Sequence, residues 1–261
     1  MFYTFLYQPL LNGLIFFYKI FSNLGWAIIF LTLLIRIILI PLTLPSLKAS
    51  SKIKEITPQL EKLKKKYAKD KQKFTQAQLE LYKKHGINPA AGCLPQIIQL
   101  VILIALYQVF VRVLQPDGNI INKLNDSLYS FLRLPSETTI NTRFFYLDLA
   151  KPDVFRFSGV AFPLPGFFLL SAALIQFLSS KMMQPAAKIA QQEAKETPTT
   201  QDDLAAAAQI QMLYLFPLMT ILIGFSFPSG LVLYWLIFSL FTAVQQYFIN
   251  KGFLINGRKK A

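Results

Sequence analysis

A single arginine inside an apolar run sets the chemistry open to this 261-residue chain. Arg36 is flanked by Leu33, Leu34, Ile35, Ile37, Ile38 and Leu39, twelve residues from the start of the stretch at Leu24. Placing an arginine at the centre of a membrane helix costs about 2.5–3.5 kcal/mol on insertion scales, and such residues face a bundle interior or water. Its central position argues against the plainer reading, in which the side chain snorkels to a headgroup layer. No Asp or Glu occurs in any of the five long apolar stretches, so the chain offers Arg36 no intramembrane ion pair. Solvation must come from neutral polar groups and water, which implies a wet cavity able to hold an anionic group without making or breaking bonds.

The neutral groups recur at helical spacing. Thr32 and Thr43 fall within about 40° of Arg36 at 100° per residue. Trp235, Ser239, Thr242 and Gln246 form a stripe on the last apolar stretch, Gln96 and Gln99 open the second, and Gln176 and Ser180 share a face of the third. Each of these alone is explained equally well by helix joining, where an interhelical hydrogen bond contributes about 0.6 kcal/mol on average. Together with Arg36 they are read as four helices lining one groove, with Arg36, Thr32, Gln99, Gln176, Trp235, Ser239 and Gln246 as its candidate residues.

The elements that must carry these residues follow from hydropathy. About 20 apolar residues cross a hydrocarbon core of about 30 Å. Such windows lie at 24–44, 94–114, 166–183, 210–227 and 231–249, in a chain that is 54% hydrophobic. The expected fold is therefore an all-α integral membrane protein with five transmembrane helices. A shorter apolar stretch at 9–21, interrupted by Asn12 and Lys19, suits an interfacial helix. With no basic region before it and no small-residue cleavage site after it, it does not read as a cleaved signal.

Charge sets the expected orientation, because basic loops stay in the cytoplasm. The net charge is +14. Residues 45–93 hold twelve Lys and no Arg against four acidic residues, whereas residues 115–165 hold five of each sign. The first loop is placed inside and the second outside, which puts the N-terminus outside and the C-terminus, with Lys251, Arg258, Lys259 and Lys260, in the cytoplasm. Lysines beside membrane spans meet anionic headgroups more simply than nucleic acid, and no DNA partner is expected.

Within residues 46–85, Ile53, Ile56, Leu60, Leu63 and Tyr67 recur at three and four. A second pattern from Lys71 to His85 puts Phe74, Ala77, Gln78 and Leu81 on one face. The two read as a cytoplasmic helical hairpin, with a kink or restart at Pro58 capped by Thr57. The 115–165 loop mixes Pro and Gly turns with aromatic pieces and is expected to pack partly on the membrane surface. Phe227-Pro228-Ser229-Gly230 is a turn short enough to make the last two spans neighbours. One cysteine, Cys93, and one histidine, His85, leave neither a disulfide nor an ordinary metal-ligand set. No phosphate-binding glycine loop appears, so no nucleotide, metal or other cofactor is expected. Spans without Asp, Glu or His also argue against an enzyme.

Several stretches resemble the YidC-type membrane protein insertases, a family with mitochondrial oxidase-assembly and thylakoid relatives. These are Trp26 to Leu44 around Arg36, the Lys-rich hairpin, Asn88-Pro89-Ala90-Ala91-Gly92-Cys93-Leu94-Pro95, Ala105-Leu106-Tyr107, and Phe227 through Trp235. The resemblance runs from about Gln8 to Tyr247 and implies a single insertase-type domain over 1–261, with a hydrophilic groove open to cytoplasm and lipid. By motif position, the family's groove arginine corresponds to Arg36, and its groove-lining residues to Gln176 and Trp235. The resemblance also implies nascent membrane proteins as cargo, the lipid bilayer as surroundings, and the ribosome and Sec translocon as candidate partners. Compared with bacterial relatives, the chain reads as lacking an extra N-terminal span with a large outer domain and a lipoprotein cysteine, and its outer loop reads as enlarged. The alternative is a channel or transporter subunit in which Arg36 binds an anionic solute, a reading weakened by the lack of inverted repeats.

Overall fold

The structure is a computed structural model that describes residues 3–67, 70–88, 94–114, 120–159, 163–183 and 214–251. A π-helical turn, Tyr3–Tyr7, leads into α1 (Gln8–Phe21), whose Leu10, Leu11, Leu14, Ile15 and Tyr18 are buried while Phe16 and Ile20 are exposed. After a left-handed turn at Ser22, α2 runs from Leu24 to Lys66 and α3 from Lys71 to Lys84. Then come α4 (Leu94–Val113) and the short α5 (Ile120–Asn125). The chain continues through α6 (Phe167–Met183), α7 (Phe216–Gly224) and α8 (Ser229–Asn250).

Among the described residues, two helices are apolar and long enough to cross a membrane. The first part of α2, over Leu24–Ile53, and α8, over Ser229–Ile249, each have the length and hydropathy of a membrane span. Ile97–Val113 and Phe167–Met182 are shorter apolar helices. The expected span at 210–227 is described only from Tyr214, and the nine residues of α7 cover about 14 Å at 1.5 Å each. Residues 210–213, the polar connection at 184–208 and Cys93 lie outside the described residues.

Helix α2 departs from the sequence reading. The boundary expected near Pro45 and the restart expected at Pro58 are both absent: one 43-residue helix passes through Pro41, Pro45 and Pro58. Thr57 is not a cap but donates its hydroxyl to the Ile53 carbonyl at 2.9 Å. Thr43 does the same to Leu39 at 3.0 Å. Both hydroxyls bond a carbonyl four residues back on their own helix, the usual alternative to capping for a threonine inside a helix.

The chain divides into two compact units. One comprises Leu39–Ile97, Phe177–Phe216 and Thr242–Ala261. Within it the distal part of α2 packs on α3 through Ile56, Leu60 and Ile87, with Ile53, Leu81 and Tyr82 around them. Asp70 starts α3 by accepting from the Lys73 N–H at 3.1 Å, a side-chain cap of the ordinary kind.

The other unit comprises Met1–Ile38, Ile98–Gln176 and Pro217–Phe241. Its 115–165 segment contains structure that an all-α reading did not include. A 3-10 turn, Ser130–Leu132, is followed by two antiparallel two-residue pairs. These are β1 (Arg143–Phe144) with β2 (Leu147–Asp148), and β3 (Val154–Phe155) with β4 (Leu164–Pro165). The segment supplies hydrogen-bond partners to the first turns of three helices, each of which begins with unpaired N–H groups. The Leu24 N–H of α2 donates to the Asn141 carbonyl at 3.1 Å. The Leu169 N–H of α6 donates to the buried Asp153 carboxylate at 2.8 Å. For α8, the Ser229 N–H donates to Lys151 at 2.8 Å and the Gly230 N–H to Leu149 at 3.1 Å.

Two glycines allow this seating. A Cβ at Gly25 would enter the Phe144 ring, and one at Gly166 would enter the Asp153 carboxylate. Helix α1 is tied to the same segment through buried Asn12, which donates to the Ser127 carbonyl at 3.1 Å and accepts from the Tyr129 N–H at 2.7 Å. Lys19 reinforces the tie by donating to the Phe131 and Arg133 carbonyls, each at 3.1 Å.

Candidate functional site

Arg36 is held by α2 with only 7% of its surface exposed, as its apolar neighbours in sequence require. Its guanidinium carbon sits 4.5 Å from the centre of the Phe238 ring and 5.2 Å from that of Phe241, both on α8. The three-residue spacing of these phenylalanines puts them on one helix face. Tyr234, four residues before Phe238, joins the face with its ring 6.2 Å from that of Phe238. A desolvated cation–π contact contributes about 2 kcal/mol or more, the same order as the insertion cost of about 2.5–3.5 kcal/mol. The rings therefore offset much of the cost of burying Arg36 while adding no negative charge.

The second candidate reaches the same helix. The Gln99 side-chain amide on α4 donates to the Tyr234 hydroxyl at 2.8 Å. Tyr234 is almost fully buried, so this bond satisfies a phenol that would otherwise be costly in a dry interior. Ser239, next to Phe238 in sequence, is also buried, and Trp235 is half-buried.

The remaining candidates are placed differently. Gln176 on α6 accepts from the Thr220 hydroxyl on α7 at 2.6 Å. Thr32 is buried, but its hydroxyl proton goes to the Ile28 carbonyl of its own helix at 2.6 Å, so the polar face expected around Arg36 is partly spent on backbone. Gln246 is fully buried and belongs to the unit that includes Thr242–Ala261.

Sequence reasoning missed the aromatic partners. Tyr234, Phe238 and Phe241 carry no polar signature that would mark them as partners of a charged side chain. The signal was present as aromatics spaced four and three apart on the helix bearing Trp235 and Ser239.

Comparison with known proteins adds to this geometry. Residues 16–256 match the family described as 60Kd inner membrane protein. The chain is 37% identical over 233 residues to the membrane protein insertase YidC of Fusobacterium nucleatum, covering 89% of each. It is 35% identical over 260 residues to that of Wolinella succinogenes and 31% identical over 258 residues to that of Campylobacter jejuni. In those two cases it spans only 39% and 40% of the relative's length. Among solved structures it is similar to an active YidC insertase crystal structure with the first transmembrane domain resolved. The TM-score is 0.53 at 28% identity, over 93% of this chain and 46% of that one. On the match across residues 16–256, this chain belongs to the 60Kd inner membrane protein family, the family of the YidC insertases, and its place is the cell membrane.

Proposed function

We propose that the protein is a membrane protein insertase that moves nascent membrane proteins from the cytoplasm into the bilayer by a non-enzymatic route. The observation that carries the reading is the state of Arg36, which is buried and faced by two phenylalanine rings. Aromatic faces favour a cation without neutralising it. A carboxylate on an incoming chain can therefore gain from Arg36.

The physical sequence follows from that charge. An acidic or polar segment of the cargo enters a hydrated groove and pauses near Arg36, so less of its polar surface is dehydrated at one time. Its apolar helix then slides between helices into lipid, and hydrophobic transfer drives the step. The barrier falls through solvation, and no bond is made or broken.

The proposed topology has five transmembrane helices, with the N-terminus outside and the C-terminus in the cytoplasm. In this reading the α2–α3 hairpin, rich in lysine, lies in the cytoplasm near headgroups, ribosome or Sec translocon. The 115–165 segment lies outside, where its ties to α1, α2, α6 and α8 make it a firm closure for a groove open to the cytoplasm. Site-specific photocrosslinking tests the reading. A photoreactive phenylalanine analogue placed at Trp235 should capture a ribosome-arrested single-span protein in membranes, and one placed at Glu137 should not. Equal capture at both positions, or at neither, contradicts it.

A further inference from the structure

The structure carries a continuous line of aromatic rings that groove chemistry does not use. It starts on α1 and α2, where Phe21 and Phe30 stack at 4.5 Å and Trp26 lies 6.4 Å from Phe30. Trp26 meets Phe144 of β1 edge-on at 5.6 Å, and Phe144 meets Phe145 at 4.7 Å. From there the line continues to Phe168 in the first turn of α6, 6.3 Å from Phe145, and through Tyr146 to Phe155 at 5.9 Å. All of these residues belong to one compact unit.

Phe145 is the telling member. It occupies the turn between β1 and β2 with a φ of 53°, a left-handed conformation that favours Gly, Asn or Asp. It also leaves 79% of its surface uncovered by protein. A bulky ring that is both strained and exposed is doubly unfavourable in water. Lipid burial removes the second of these penalties.

Charge and continuity identify the cover. Arg143 precedes Phe144-Phe145-Tyr146, and Arg156 stands between Phe155 and Phe157, with both arginines exposed. Interleaved arginine and aromatic rings suit the boundary between anionic headgroups and acyl chains, where aromatic belts collect. The line is also continuous with the ends of membrane helices, since Trp26 lies in the first turn of α2 and Phe168 in that of α6.

We propose that the β1–β2 turn, with Phe145 at its tip, is a membrane wedge. It inserts into the outer-leaflet interface and binds anionic phospholipid through Arg143 and Arg156, so that the β1–β2 turn and the Phe155–Phe157 stretch lie in the bilayer interface instead of standing in water. This rests on the membrane placement of the chain and not on the groove.

The test uses the full chain with Cys93→Ser, reconstituted in phosphatidylcholine vesicles with and without phosphatidylglycerol. A spin label is attached at Phe145→Cys, at Phe157→Cys, or at Glu137→Cys as a water-facing reference. The expected result at 145 and 157 is an accessibility to oxygen, relative to a soluble nickel chelate, several-fold above that at 137. Arg143→Gln with Arg156→Gln should lower that ratio in vesicles containing phosphatidylglycerol. A nickel-dominated signal at both 145 and 157, equal to that at 137, overturns the wedge and leaves a protein partner as the occupant. The label at 157 keeps the test decisive if Phe145→Cys disturbs the turn.

Discussion

The guanidinium carbon of Arg36 lies 4.5 Å from the centre of the Phe238 ring, and this contact links the charge on α2 to the aromatic face of α8. If the rings hold the cation in place without cancelling its charge, Phe238→Leu combined with Phe241→Leu should weaken two things together. The folded protein should lose about 2 kcal/mol or more, the scale of a desolvated cation–π pair. Insertion of cargo with acidic tails should fall more than insertion of cargo with neutral tails. Thermal unfolding in detergent and insertion into vesicles measure the two effects. A loss of stability with equal loss for both cargo types would make the rings packing residues only.

Gln99 and Tyr234 provide a simpler case. Removing the hydroxyl in Tyr234→Phe leaves the Gln99 amide short of one partner, with an expected loss of about 0.6 kcal/mol by membrane precedent and up to about 1.5 kcal/mol for a buried bond. Gln99→Leu with Tyr234→Phe should recover part of the loss, because neither polar group is then stranded. A double-mutant cycle on unfolding detects the coupling, and strictly additive losses count against the bond.

Asn12 makes a stronger prediction for the loop. Asn12→Leu removes both the donor to the buried Ser127 carbonyl, left unsatisfied at about 1–3 kcal/mol, and the acceptor for the part-buried Tyr129 N–H. The expected outcome is faster trypsin cleavage after Arg133, with cleavage after Lys251 unchanged. Unaltered protection at Arg133 would show that the loop is held elsewhere.

Asp148 gives a pH dependence. Burial alone would raise its carboxyl, but the Ala150 N–H, the Thr142 hydroxyl and Lys151 together hold it below the usual carboxylate range. A lowered folded-state value contributes stability above the unfolded-state pKa, and that stability is lost as pH falls through the folded value. Thr142→Val removes one of the groups that lower it. The carboxyl should then titrate at higher pH, and the acid-induced loss of the β1–β2 pair should begin at higher pH. A carbon-detected titration of Asp148 checks the shift; an unchanged midpoint contradicts the assignment.

Much of this arrangement was legible in residue types. Apolar runs mark the two long apolar helices, α2 and α8, and the shorter apolar helices α4 and α6. The Phe227-Pro228-Ser229-Gly230 turn appears as the short connection between α7 and α8. The unbroken α2 was not legible, because three prolines are strong local stop signals. Local propensity rules do not see the rest of the fold, and here the helix runs on through all three. Nor were the caps supplied by Asp153 and Asn141, since contacts between residues far apart in sequence leave no periodic trace. At the candidate site, polarity singles out Gln99 and Arg36, whereas their contacts Tyr234 and Phe238 carry no such signal, because aromatic residues in a membrane helix look like lipid-facing filler.

The most direct test of the central claim is insertion by the purified full chain in liposomes. Protease protection of a single-span protein would be followed for matched cargo with an acidic or a neutral outer tail, comparing wild type, Arg36→Lys and Arg36→Ala at equal amounts in the membrane. The expected result is protection by wild type, with a selective loss for the acidic-tailed cargo in Arg36→Ala that Arg36→Lys largely restores. Equal protection of both cargoes by wild type and Arg36→Ala would contradict a role for the buried charge.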